Sequence, residues 1–165
     1  MIEAKFKLTE ETIMVNSKPL YRIEALRDFG DVKKGDKGGF IENESNLSQS
    51  DDCWVYDNAQ VYDYAKVYDY AKVYDNAKVY GNAKVYDNAL VRGNAKVYGE
   101  VRVFGNAMVY GETKVYDEAD VYDNAIVCDH AIVCDNAQVY DNAMVYGSAE
   151  IYGNMEVYGN TGVCN

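Results

Sequence analysis

The chain has 165 residues and carries 16 Lys and Arg against 27 Asp and Glu, a formal net charge of −11. That length allows one domain, the balance disfavours direct binding to nucleic acid, and no stretch is apolar enough to cross a bilayer. Four scattered cysteines (Cys53, Cys128, Cys134, Cys164) and a start, Met1-Ile2-Glu3-Ala4-Lys5, without the apolar run of a signal peptide point to a reduced, cytoplasmic protein.

Residues 1–40 are not repetitive. Thr12-Ile13-Met14-Val15 and Leu20-Tyr21-Arg22-Ile23 flank Asn16-Ser17-Lys18-Pro19, which reads as a β-hairpin, and Gly30, Gly35, Gly38 and Gly39 mark a loop after it. This segment is expected to cap the N-terminal end of the repetitive region. Ile41 and Leu47 begin two irregular six-residue units, and a two-residue insertion precedes Cys53 and Val55.

From Val55 to Gly162 a six-residue unit repeats without interruption, as in Val73-Tyr74-Asp75-Asn76-Ala77-Lys78. A fixed period this short is the mark of a solenoid, and a period of six belongs to the parallel β-helix. Ala-Lys-Val-Tyr forms a short strand with Ala and Val inward and Lys and Tyr outward, while Asp/Gly-Asn tolerates the left-handed backbone of a sharp corner. The expected fold is all-β. Three strands close a triangular coil of eighteen residues, and about six regular coils make a rod about 29 Å long. The domain plan is a cap over 1–40 and a β-helix over 41–165.

The unit resembles the hexapeptide-repeat family, the left-handed β-helix of many acyltransferases, whose unit is aliphatic-Gly-x-Asn-small-x. One departure matters: the second position is here nearly always Tyr. The leader Gly35-Asp36-Lys37-Gly38-Gly39-Phe40-Ile41-Glu42, with Asn46-Leu47-Ser48 and Cys53-Trp54-Val55-Tyr56, resembles that of uncharacterised hexapeptide-repeat proteins of bacteriophages and prophages. The resemblance implies a phage-borne protein and names no target.

Positions eighteen apart stack, so the sequence sorts into columns. On one face Leu90, Met108, Ile126 and Met144 form an outward apolar stripe framed by Tyr110 and Tyr146, where the other faces carry mostly charged or amide residues. Ordered apolar patches of this kind are usually covered, here by a second copy in a symmetric homodimer or by the N-terminal segment folding back. Tyrosine columns on the other faces are expected to be structural stacks, with sugar or base binding as the alternative. Charge is uneven too: Lys114 is the last cation, and residues 115–165 carry nine carboxylates. Glu100, Asp117, Glu118 and Asp135 share a corner, with Asp120 and Asp123 close by in sequence. Such a negative end attracts a basic, nucleic-acid-binding protein surface.

Signals for chemistry are sparse. His130 is the one candidate base of the kind acyltransferases on this scaffold use, but it stands in the corner column of Asn58, Asn76, Asn94, Glu112 and Ser148, where His substitutes for Asn, and no loop interrupts the coils after Val55. Cys128 and Cys134 lie across a corner from each other, which disfavours both a shared metal and a disulfide. No phosphate loop or serine-nucleophile motif is present. The expected function is therefore non-catalytic, with no cofactor or metal. An acidic rod would occupy the basic groove of a host nucleic-acid-handling defence protein, such as a CRISPR or restriction component, through Glu100, Asp117, Glu118, Asp120, Asp123 and Asp135. Leu90, Met108, Tyr110, Ile126, Met144 and Tyr146 would hold the dimer. A hexapeptide-repeat acyltransferase and a structural protein that assembles through its C-terminal coil are the alternatives.

Overall fold

From Ala59 to Val145 every inward residue of the repeat is buried to 0–1% exposure, while the Lys and Tyr positions face outward. This alternation is what a period-two strand imposes, and it closes the chain around a narrow prism of Ala and Val. A computed structural model describes residues 3–165. Its strands are β1 (Phe6–Val15), β2 (Lys18–Ala25) and β3 (Lys37–Ile41). Nineteen two-residue strands come after them, one per hexad, from β4 (Trp54–Val55), β5 (Gln60–Val61) and β6 (Lys66–Val67) to β22 (Gly162–Val163).

Successive hexads fall on three parallel sheets in turn, each strand pairing with those eighteen residues before and after it, as Val91 does with Val73 and Val109. The protein is thus an all-β parallel solenoid of about seven turns. We name its faces after their first two-residue strands, the β4, β5 and β6 faces. Ladder bonds such as Lys78 N–H to Ala95 O (2.9 Å) and Tyr80 N–H to Val97 O (3.0 Å) satisfy the backbone from coil to coil.

At each corner the left-handed residue is the Asp or Gly alone; the Asn after it keeps a negative φ. The corner aspartates do more than tolerate that backbone. Asp75 Oδ2 accepts from Gly93 N–H at 3.0 Å, and Asp87, Asp129, Asp135 and Asp141 accept in the same way from the coil below. Where Val101 and Thr113 replace the inward alanine, the corner opens. Gly99 and Gly111 sit at φ 78° and 81°, against 54–69° at the other repeat corners. A Cβ on Gly111 would lie 2.8 Å from the Asp129 backbone, so only glycine fits there.

Thr113 Oγ1 is buried inside the prism without a hydrogen-bond partner. A buried, unpaired hydroxyl costs about 1–3 kcal/mol. Thr113→Val keeps the branched shape and should stabilise the protein by about 1–2 kcal/mol. Urea denaturation measures this directly, and an unchanged or lower midpoint would show that the hydroxyl is not the liability it looks.

The N-terminal segment extends the β5 face. β1 and β2 pair antiparallel about the Asn16-Ser17 turn, β2 pairs antiparallel with β3, and β3 pairs parallel with β5. A boundary at residue 40 therefore falls inside β3, which belongs to both cap and solenoid. Gly38 and Gly39 are required here: added Cβ atoms would lie 2.5 Å from Val55 O and 2.4 Å from Ala59 O. Trp54 stands in register with Lys72, an outward position, yet is 1% exposed. Phe6 and Phe29 cover it edge-on, with ring centroids at 6.2 and 5.2 Å. The two-residue insertion before Val55 also has a use. Its loop wraps the buried Lys5, whose Nζ donates to the carbonyls of Ser50 (3.2 Å), Asp51 (3.2 Å) and Cys53 (2.8 Å).

Candidate functional site

The corner between the β5 and β6 faces is a shallow groove lined by Gly99, Glu100, Asp117, Glu118, Asp135, Asn136, Gly153 and Asn154. The register that stacks coils places Glu100 over Glu118 and Asp117 over Asp135, with Glu100 N–H bonded to Asp117 O at 2.6 Å and Glu118 N–H to Asp135 O at 2.9 Å. All four side chains are exposed, and none has a Lys or Arg partner among the described residues. Two unit charges one coil apart repel by roughly 0.9 kcal/mol even in bulk water. A cationic group placed in the groove relieves several such pairs at once.

Two of the residues expected at this surface are elsewhere. Asp120 is 8% exposed and gripped by Arg102, whose Nε and Nη2 donate to its two oxygens at 2.9 and 2.6 Å. The pairing raises the Arg102 guanidinium further above its usual range and leaves no free carboxylate for a partner. Asp123 lies on the next corner, between the β6 and β4 faces, in a groove with Asp141 and four asparagines. Its Oδ2 accepts from Asp141 N–H at 3.3 Å. Asp135 is shared between roles, since it lines the acidic groove and accepts from Gly153 N–H at 2.8 Å. The acidic surface is therefore Glu100, Asp117 and Glu118, with Asp135 at its edge.

On the β4 face Leu90, Met108, Ile126 and Met144 stack in one column. Tyr110 and Tyr146 flank it with Cys128 between them, buried to 6% exposure. Burial pushes the Cys128 thiol up, and burial and the Cys128 contact push the Tyr110 phenol up. The N-terminal segment reaches only the top of this face, at Trp54 and through Asp31, which accepts from Tyr56 Oη at 2.7 Å and Lys72 Nζ at 3.4 Å. Leu90 shares a shallow groove with Gly30 and Asp52 of that segment; Leu90, Met108 and Ile126 are half-buried and Met144 is 39% exposed.

The tyrosine columns are closed stacks. Tyr68, Tyr86, Phe104, Tyr122, Tyr140 and Tyr158 follow one another at 4.8–5.6 Å, with planes within 16°. Tyr62, Tyr80, Tyr98 and Tyr116 do the same at 4.8–5.2 Å. Each interior ring has both faces occupied by its neighbours, leaving only edges outward. A sugar or base that stacks needs a free ring face, which the interior rings do not offer.

His130 is exposed on a corner, in the column of Asn94, Glu112 and Ser148. Among the described residues no three His, Cys, Asp or Glu side chains converge as metal ligands would. The cysteines are free thiols, and among the described residues no helix is long and apolar enough to cross a membrane. The residue pair that sequence reasoning missed is Lys5 and Cys53, whose Nζ and Sγ lie 3.2 Å apart in the buried cap. Burial lowers the Lys5 ammonium and raises the Cys53 thiol. Lys5 and Cys53 both precede the regular repeat, so no sequence signal announced the contact.

Comparison with known proteins agrees with the architecture. Residues 137–153 match a family model described as YdcK Beta solenoid repeat. Over 38 residues the chain is 47% identical to a protein of Escherichia coli (strain K12) named Uncharacterized acetyltransferase YdcK; the alignment covers 23% of this chain and 12% of that protein. The chain thus matches about an eighth of that curated relative's length. Both findings fit a repeat β-helix. Neither bears on the phage and prophage resemblance of the leader.

Proposed function

We propose that this solenoid is a non-catalytic binding rod whose acidic corner docks on a basic protein surface. The observation that carries the reading is the groove of Glu100, Asp117 and Glu118, unpaired by any cation among the described residues, together with the absence of Lys and Arg from residue 115 onward. Corner chemistry explains why Asp recurs in the repeat, and Glu100 Oε1 accepts from Asn82 Nδ2 at 2.6 Å one coil above; neither accounts for Glu118 nor for the missing lysines. The partner class that fits is a protein with a cationic groove for nucleic acid, a host defence nuclease being the sharpest case. Electrostatic steering would speed such an encounter and make it salt-sensitive.

Glu100→Lys with Glu118→Lys reverses the corner at positions whose side chains already point outward. Partner capture from a bacterial lysate should fall at least about tenfold, while the circular dichroism spectrum stays unchanged. Wild-type capture should be competed by duplex DNA. Capture that survives both the reversal and the competitor would end the proposal.

Acetyl transfer is a second reading, favoured by the name of the partial relative. Its requirement is simple: acetyl-CoA must be turned over, and His130→Ala must abolish that turnover with the fold intact.

A further inference from the structure

We propose that the β4 face is a two-fold homodimer interface in which two rods pack antiparallel, Met108 of one copy against Ile126 of the other and Leu90 against Met144. The inference is independent of the acidic corner, which lies between the other two faces.

The outward position that carries the stripe holds Lys72 above Leu90 and Gly162 below Met144. The stripe is thus four rungs long, with its midpoint between Met108 and Ile126. A two-fold axis through that midpoint, lying in the face and across the rod, maps the stripe onto itself. An axis along the rod would do so too, so apolar contact alone does not choose between them.

Charge chooses. Residues 115–165 hold nine carboxylates and no cation. A parallel pair sets these two ends side by side and brings Asp129 of one copy opposite Asp123 of the other. The antiparallel pair sets each against the half that holds Lys72 and Arg92. At its edge Arg92 comes opposite Tyr146 of the second copy, a cation–π pairing of the kind Arg92 already makes with Tyr110 at 4.8 Å. Glu112 comes opposite His130, giving that corner histidine an acidic neighbour. One like-charged meeting remains, Asp87 with Asp141, and both carboxylates are already held by the amides of Gly105 (3.0 Å) and Gly159 (3.0 Å). A face about six coils long buries on the order of 900 Å² in total, below the roughly 1,000 Å² of a stable interface and in the size class of weak, transient ones. The dimer should therefore form and dissociate within the micromolar range.

Light scattering across concentration should show the mass doubling and then stopping. Met108→Lys with Ile126→Lys should stay monomeric with an unchanged circular dichroism spectrum and melting temperature. Orientation is read by mixing two variants, Leu90→Cys and Met144→Cys, each with Cys128→Ser and Cys164→Ser, under mild oxidation. The antiparallel pair gives the mixed disulfide between the two variants; a Leu90→Cys disulfide with itself overturns the proposal. His130→Glu should weaken the dimer about tenfold, and adding Glu112→Lys should restore it. A mass that stays monomeric at every concentration, or that settles at three copies, also overturns it.

Discussion

Raising the pH from about 9 to about 12 is expected to unfold the solenoid in one steep transition. Tyrosine in an unfolded chain ionises near pH 10. Here burial pushes the Tyr62 phenol up to about 12, and a hydrogen bond with Cys134, then burial, pushes Tyr116 up to about 12. Tyr56 is raised further, by burial first and by its bond to Asp31 second. Tyr68, Tyr80, Tyr86, Tyr98 and Tyr122 shift upward as well, burial leading in each. A group whose folded pKa is raised lends stability that is complete below its unfolded pKa and drains away as pH climbs through the folded one.

The window therefore opens near pH 10. Tyr62 alone should contribute on the order of 2 kcal/mol after allowance for solvent screening. A whole domain is stable by only about 5–15 kcal/mol, so a handful of such groups exhausts it. Lys5 acts in the opposite direction, because its lowered ammonium pKa makes stability rise with pH below 10.5, but it is one group against many. Circular dichroism and phenolate absorbance should change together. Tyr62→Phe should move the midpoint to higher pH. Phenolates that titrate near pH 10 with the fold intact would show that the stacked rings are not shielded.

Trp54→Ala is expected to cost about 3–5 kcal/mol, the usual range for deleting a buried aromatic. The indole is 1% exposed and is the contact around which Phe6 and Phe29 close the cap. Because coils contact mainly their neighbours, the damage should be local. Hydrogen exchange should accelerate through the β1–β2 hairpin and the loop after it while the lower coils keep their protection. A loss under about 1 kcal/mol, or uniform loss of protection, would mean that the cap is held by something other than this aromatic cluster.

The acidic corner shows how far a repeat can be read. Glu100 over Glu118 and Asp117 over Asp135 came from counting eighteen residues, and the pairing of coils places them so. Counting could not separate Asp117 from Asp120. Their exposures differ because the coil above presents a small Gly99 to the first and a long Arg102 to the second. Nor could it tell that Asp87, Asp123 and Asp141 spend their carboxylates on corner amides, since Asp is also a good corner residue for backbone reasons alone.

The six-residue period by itself determined the inward Ala and Val, the turn of eighteen residues and the membership of each face. An invariant unit leaves the chain one register in which every apolar side chain is buried. Only the tertiary structure decided which outward side chains are available. Trp54 occupies an outward position and is buried, Lys5 is charged and wholly enclosed, and Asp120 is locked by its neighbour. Those outcomes depend on contacts between residues that share no period, such as Phe29 with Trp54, or on the size of the side chain one coil away. Neither is written in the spacing of the repeat.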